Sequence, residues 1–143
     1  MRDETLHSTL VFIGDVEQSR LEALHLAARE VSAERFELCF DAAGYWEHNH
    51  IVYAAPGHVP QLLTQLVGLL EQHLEMHGFK FDIRGYRPHV TLLRNAHWKN
   101  EPLPAMQPVC WQIIDFALVQ SLPRDGVAGY QVLARFPLGR VIA

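Results

Sequence analysis

The apolar positions of this chain follow two periods, one of about two residues and one of about three to four, and they predict alternating strands and helices. Residues 5–13, Thr-Leu-His-Ser-Thr-Leu-Val-Phe-Ile, read as a strand stopped by Gly14-Asp15. Leu21, Leu24, Ala28 and Val31 then give one apolar face to a helix running from about Val16 or Glu17 to Val31. Phe36, Leu38 and Phe40 alternate with Glu37 and Cys39, which predicts a strand with a single apolar face. Ala43-Gly44 reads as a turn, Tyr45 to Ala55 as containing a strand clearest at Ile51-Val52-Tyr53, and Pro56-Gly57 as its end. Pro60 can open a second helix because the first turn needs no proton there. Leu63, Leu66, Leu70 and Leu74 form its buried stripe, and Gly78 stands where a C-terminal cap belongs.

Further along, Phe79 to Ile83 reads as a short strand, and another starts at His89-Val90-Thr91-Leu92. Asn95 to Pro108 is polar and holds three prolines, so it reads as a loop. Val109 to Ser121 is the longest strand candidate, Pro123 to Gly129 a turn, and Tyr130 to Leu138 a closing strand. Strands outnumber the two helices and no connection demands a parallel sheet. The expectation is one α+β domain over residues 1–143, with antiparallel sheets meeting at a cleft.

Composition narrows the partners. The 143 residues suffice for a continuous core, and 49% apolar with 20% charged residues is ordinary globular usage. A net charge of −4 argues against coating nucleic acid by bulk electrostatics, while leaving room for a small site that recognises one nucleotide end. No signal-peptide core or membrane-length apolar run is present, so a cytoplasmic protein with no membrane partner is expected. Cys39 and Cys110 lie in strand-like apolar segments and read as reduced core residues.

The candidate chemistry lies in two matching tetrapeptides. His89-Val90-Thr91-Leu92 follows Pro88, which pushes Arg87 towards an extended conformation, and its β-branched residues favour a strand. On a strand, His89 and Thr91 share one face. His7-Ser8-Thr9-Leu10 repeats the form on the first predicted strand. Two imidazoles across a cleft suit in-line displacement at phosphorus, one taking a proton from water and the other giving one to the leaving oxygen. Thr9 and Thr91 can donate to the non-bridging oxygens where charge builds. No metal or other cofactor is needed in this scheme. Arg94 and Arg87 are candidate phosphate ligands. Arg94 faces away from His89 on an ideal strand, whereas Arg87 shares its face, with Pro88 disturbing that orientation.

These residues carry a resemblance to the two-histidine phosphoesterases, and within them to the bacterial RNA 2′,3′-cyclic phosphodiesterases, also called 2′,5′-RNA ligases. Leu6 to Val16 is similar to that family's first motif with its trailing Gly14, and Arg87 to Arg94 to the second with its closing arginine. Phe36 to Trp46 and the region of Phe116 to Tyr130, with Ser121, Gly129 and Tyr130, also fit. The resemblance implies a bilobal, pseudo-two-fold fold in which each lobe gives one His-x-Thr motif. It implies metal-independent opening of a 2′,3′-cyclic phosphate on RNA or a nucleotide to a 2′-phosphate, and admits reversible 2′,5′-RNA ligase activity. By that analogy His7 protonates the leaving 3′ oxygen, His89 activates water, and Arg94 is preferred to Arg87. Residues alone leave the division of labour between the histidines open. Only six residues precede His7, where the family carries a strand and a helix. The expectation is an exposed sheet edge in the first lobe, through which the chain forms a homodimer, or a less stable and less base-selective protein.

Competing readings are weaker. His73 and His77 have the helical spacing of a zinc pair, but no third ligand is evident in sequence. His48-Asn49-His50 reads as solvent-facing, and His25 and His97 as surface. Tyr45, Trp46 and Tyr53 are candidates for stacking a base, or for rim packing. Two other classes are a binding module without turnover and a metal hydrolase built from the remaining histidines. Retention of both His-x-Thr pairs favours catalysis over the first, and activity in a strong chelator would exclude the second.

Overall fold

The computed structural model describes residues 6–83, 86–98, 102–122 and 129–139. The predicted turn at 123–128, the first residue of the predicted opening strand, and Arg84 and Gly85 lie outside them.

Two helices and seven strands are present among the described residues. A 3-10 turn, Gln18–Arg20, leads into α1, Leu21–Arg29. The strands β1, Phe36–Phe40, β2, Ala42–Trp46, and β3, Ile51–Ala55, precede α2, Gln61–Met76. After α2 come β4, Val90–Leu93, β5, Val109–Ile113, β6, Asp115–Ser121, and β7, Tyr130–Pro137. They form three antiparallel sheets, β1-β5, β2-β3-β4 and β6-β7. The α+β class with antiparallel sheets is therefore as the pattern predicts.

The core forms where the two periodicities meet. Phe36, Leu38 and Phe40 of β1 pack with Leu63, Leu66, Val67 and Leu70 of α2, and with Ile113, Phe116, Phe136 and Leu138. A second cluster joins Leu24 and Ala27 of α1 to Leu74 and Phe79. Burying each large side chain stabilises the fold by about 1.5–3 kcal/mol. Gly78, at φ +80°, stops α2 as expected. Phe79 N–H bonds to the Leu74 carbonyl and Gly78 N–H to that of Glu75, a Schellman closure that turns the chain back along the helix. Beyond α1, one Glu30 carboxylate oxygen meets His77 Nε2 at 2.8 Å and His73 Nδ1 at 3.3 Å. The zinc-like spacing thus serves a helix-to-helix contact, and the imidazoles, His77 foremost, hold the Glu30 carboxyl below its ordinary range.

Several expectations are corrected. Among the described residues the predicted strand 5–13 forms no regular ladder: Ser8 makes a single bridge to Val90, and Phe12 accepts a hydrogen bond from Asp82 N–H. The predicted strand at 79–83 is likewise not a regular strand. The long strand 109–121 breaks at Ile114, for a reason visible in its spacing. Ile113 and Phe116 are both buried but three residues apart, and a strand's period of two cannot keep both on one face. The chain kinks and changes sheets. Ala43-Gly44 is no turn but lies within β2, and the turn falls later, at 47–50, where His50 takes φ 55°. Cys39 and Cys110 are not reduced core residues. Alternation that buries Phe36, Leu38 and Phe40 turns Cys39 outward, opposite its registry partner Cys110, and the two are joined as a disulfide.

Behind the Ser8–Val90 bridge, the Ser8 and Tyr86 hydroxyls are both buried, near enough for the Ser8 hydroxyl to act on the phenol. Burial pushes the Tyr86 phenol up to about 12, with the Ser8 hydroxyl acting in the opposite direction. The folded chain therefore holds this proton more tightly than the unfolded chain, whose phenol titrates near 10.0. Stability should be level below that value and fall as pH rises towards 12, and Tyr86→Phe should flatten the fall. Urea titrations across this range check it.

Candidate active site

A single contact brings the two motifs together. Ser8 bridges Val90 in antiparallel sense. Continuing that register sets His7 opposite Thr91 and Thr9 opposite His89. Opposite residues of a ladder share a face and alternate residues return to it, so a ladder continued from this bridge would put His7, Thr9, His89 and Thr91 on one side and Ser8 and Val90 on the other. Facing Cα atoms in an ideal antiparallel pair stand about 5 Å apart, and on that spacing the two histidine Cα atoms would be about 8 Å apart on the diagonal. His7 and Thr9 are exposed, His89 is half-buried, and Thr91 is buried.

The site face continues across the central sheet. Tyr53 is the registry partner of Thr91, and Gly44 that of Tyr53. Trp46, two residues on from Gly44, shares this face. A Cβ on Gly44 would come within 2.3 Å of the Tyr53 ring. Glycine at this position lets the Tyr53 ring lie across β2 and stack on Trp46, with centroids 4.1 Å apart and planes at 25°. Trp46 in turn meets His89 edge-on at 4.8 Å and 77°. The other histidine is framed similarly: Tyr130, the first residue of β7, meets His7 at 4.6 Å and 60°. Each imidazole thus has an aromatic wall. Tyr53 and Gly44 carry no motif signal, and the part they play here comes from strand register.

His89 has a defined proton arrangement. Its Nδ1 lies 2.8 Å from the Arg87 carbonyl oxygen, which can only accept, so Nδ1 carries the proton and Nε2 of the neutral ring keeps its lone pair. Beside it opens a cavity of about 270 Å³ lined by Trp46, Tyr53, Tyr86, Arg87, Pro88 and His89 among others. Arg87 is exposed at this cavity, whereas Arg94 is exposed in the bend just beyond β4, before the left-handed Asn95. Tyr45 is placed differently from its neighbour Trp46. Its hydroxyl donates to the Ala96 carbonyl at 2.8 Å and accepts from His50 Nδ1 at 3.0 Å, tying the β2–β3 hairpin to the segment after β4. His50 also lies 4.5 Å from His97, ring to ring.

Among the described residues the one group of three close metal-ligating side chains is Glu37, Cys39 and Cys110, on a different sheet from the His-x-Thr motifs. No helix among them is long and apolar enough to cross a membrane.

Comparisons with known proteins identify the family and the fold. The profile of the 2′-5′ RNA ligase superfamily matches residues 1–123. The RNA 2′,3′-cyclic phosphodiesterase of Escherichia coli (strain K12) is 30% identical over 135 residues, spanning 94% of this chain and 77% of that protein. Crystal structures of E. coli LigT superimpose closely. The apo form has a TM-score of 0.87 at 29% identity, covering 98% of this chain and 80% of that one. The complex with 3′-AMP has a TM-score of 0.85 at 30% identity, covering 95% and 78%. The fold, the paired motifs and these matches agree: the chain belongs to the 2′-5′ RNA ligase superfamily of two-histidine phosphoesterases.

Proposed function

We propose that the chain is an RNA 2′,3′-cyclic phosphodiesterase that opens the terminal cyclic phosphate to a 2′-phosphate. The observation that carries this reading is the Ser8–Val90 bridge, because a ladder continued from it would align two imidazoles and two hydroxyls on one face. The similarity to the E. coli enzyme supports the substrate class.

In this mechanism His89 Nε2, left with its lone pair by the Nδ1–H bond to Arg87, takes a proton from water as the oxygen attacks phosphorus. The P–O3′ bond breaks in line, and His7, entering protonated, gives its proton to O3′. Thr9 and Thr91 donate to the non-bridging oxygens as their charge grows. Arg94, and Arg87 beside the cavity, neutralise the phosphate. Acid and base come from the chain itself, so no step calls for a Lewis acid. The product leaves with His7 neutral and His89 protonated, and proton exchange with solvent resets the pair.

Trp46, with Tyr53 stacked behind it, offers a base a flat apolar surface beside His89, while Tyr45 stiffens the same hairpin from its other face. The side of β5 away from β1 has no strand partner among the described residues, and with Val109 58% and Trp111 48% exposed it is an edge along which a second copy can add a strand.

His7→Ala should abolish hydrolysis of a cyclic nucleotide, with the circular dichroism of the fold retained. Thr9→Val and Thr91→Val should each lower kcat by about 10²–10³, the worth of one transition-state donor. The wild-type pH–rate profile should be bell-shaped, with apparent values that belong to the histidine pair. Full turnover by His7→Ala would sink the mechanism.

Trp46→Ala should raise KM roughly 5- to 150-fold, the equivalent of one lost base stack of about 1–3 kcal/mol. Gly44→Ala should act in the same direction by displacing Tyr53, and an unchanged KM in both variants would place the base elsewhere. Sedimentation equilibrium should find a dimer that Trp111→Lys dissociates; a monomer at every concentration would remove the β5 pairing.

A further inference from the structure

The chain has two cysteines, 71 residues apart in sequence, and the fold makes them registry partners across β1 and β5. They lie on the outer face of that sheet, Cys110 exposed and Cys39 half-buried, away from the Phe36, Leu38 and Phe40 face that builds the core. Packing does not call for sulfur there. A third candidate ligand stands beside them: Glu37 Oε1 lies 3.7 Å from Cys39 Sγ, and all three candidate ligand atoms fall within 4.8 Å of one another.

Two features of this group resemble a ligand set more than a surface coincidence. Tetrahedral zinc, with bonds of about 2.3 Å to sulfur and 2.0–2.2 Å to carboxylate oxygen, spaces a sulfur and an oxygen about 3.6 Å apart and two sulfurs about 3.8 Å apart. The Cys39–Glu37 separation of 3.7 Å is already such an edge. The second feature is the carboxylate's other oxygen. Gln112, the registry partner of Glu37, donates its Nε2–H to Glu37 Oε2 at 2.7 Å. That bond turns Oε1 towards the sulfurs, the kind of support that outer residues give to a ligating carboxylate.

We propose that the reduced form of this group is a thiophilic metal site, holding zinc or a similar divalent ion through Cys39 Sγ, Cys110 Sγ and Glu37 Oε1, with Gln112 orienting the carboxylate. Binding is Zn²⁺ plus two thiols giving a dithiolate complex and two released protons. Water completes the tetrahedron on the exposed side. The disulfide is the closed form of the same site. A small-molecule thiol opens it by exchange, two thiols being oxidised to their own disulfide as Cys39 and Cys110 take up two electrons and two protons. In a reducing compartment the open form prevails. The site is separate from the His-x-Thr face, so the proposal stands or falls independently of the reaction assigned there.

The test is an anaerobic titration of the EDTA-stripped, phosphine-reduced protein with Co²⁺, followed by displacement with Zn²⁺ against a chromophoric chelator. We expect a thiolate-to-cobalt charge-transfer band saturating at one ion per chain, absent from the disulfide form and from Cys39→Ser and Cys110→Ser. Gln112→Leu should weaken binding by about 10- to 100-fold, as loss of outer support does elsewhere. Glu37→Gln should weaken it at least as much, and both leave the sulfurs and the core untouched. No thiolate band in the reduced wild type would overturn the proposal. So would equal affinity in Cys110→Ser, which would assign the ion to histidines, or unchanged affinity in Glu37→Gln.

Discussion

The candidate site depends on one backbone contact, the antiparallel bridge between Ser8 and Val90. Neither His-x-Thr segment is chemically complete alone, since each offers one imidazole and one hydroxyl. Pairing them head to tail sets histidine against threonine twice, and the period of two sends all four side chains to the same side. A register slip of one residue on either segment would turn that segment's pair to the far face. The bridge therefore has to be well anchored. On its other edge Val90 is paired with Ala54 of β3, so the second motif is held in a three-stranded sheet on the side away from the first.

The same sheet explains why the surroundings of the site come from distant parts of the chain. Register carries the site face from Thr91 to Tyr53 and on to Gly44, and the missing side chain at Gly44 leaves room for the Tyr53 ring that backs Trp46. The first motif is less embedded. His7 and Thr9 are exposed, and Tyr130, reached through β6 and β7, supplies the ring beside His7. In the proposed mechanism this asymmetry suits the roles. The half-buried His89, with its Nδ1 proton fixed on a backbone carbonyl, presents a defined lone pair to water, while the exposed His7 can be reprotonated from solvent between turnovers.

How much of this was legible in the sequence depends on which interaction decided each element. The helices were legible because leucine spacing and the closing Gly78 are local signals. The motif residues were legible because a strand's alternation alone puts His89 beside Thr91. Elements decided by tertiary contacts were not. The opening segment has strand-like residues but makes only the one bridge among the described residues, and the 109–121 run divides because buried Ile113 and Phe116 have odd spacing. The cysteines show how a locally correct pattern can still mislead. Their segments are apolar, yet the alternation that buries Phe36, Leu38 and Phe40 puts Cys39 outside. Its partner could not be read from sequence, since nothing local relates positions 71 residues apart. Gly44 read as a turn because glycine usually marks one; here it answers to an aromatic ring on the neighbouring strand.

The central claim, that the two motifs form one acid–base pair acting on a cyclic phosphate, is tested most directly by the product. A 2′,3′-cyclic nucleotide would be incubated in ¹⁸O-labelled water with EDTA, using wild type and His89→Ala, and the product examined by ³¹P NMR. The expected outcome is a 2′-phosphate carrying one labelled oxygen from the wild type and no product from the variant. A 3′-phosphate, undiminished turnover by the variant, or wild-type turnover that EDTA abolishes would contradict it.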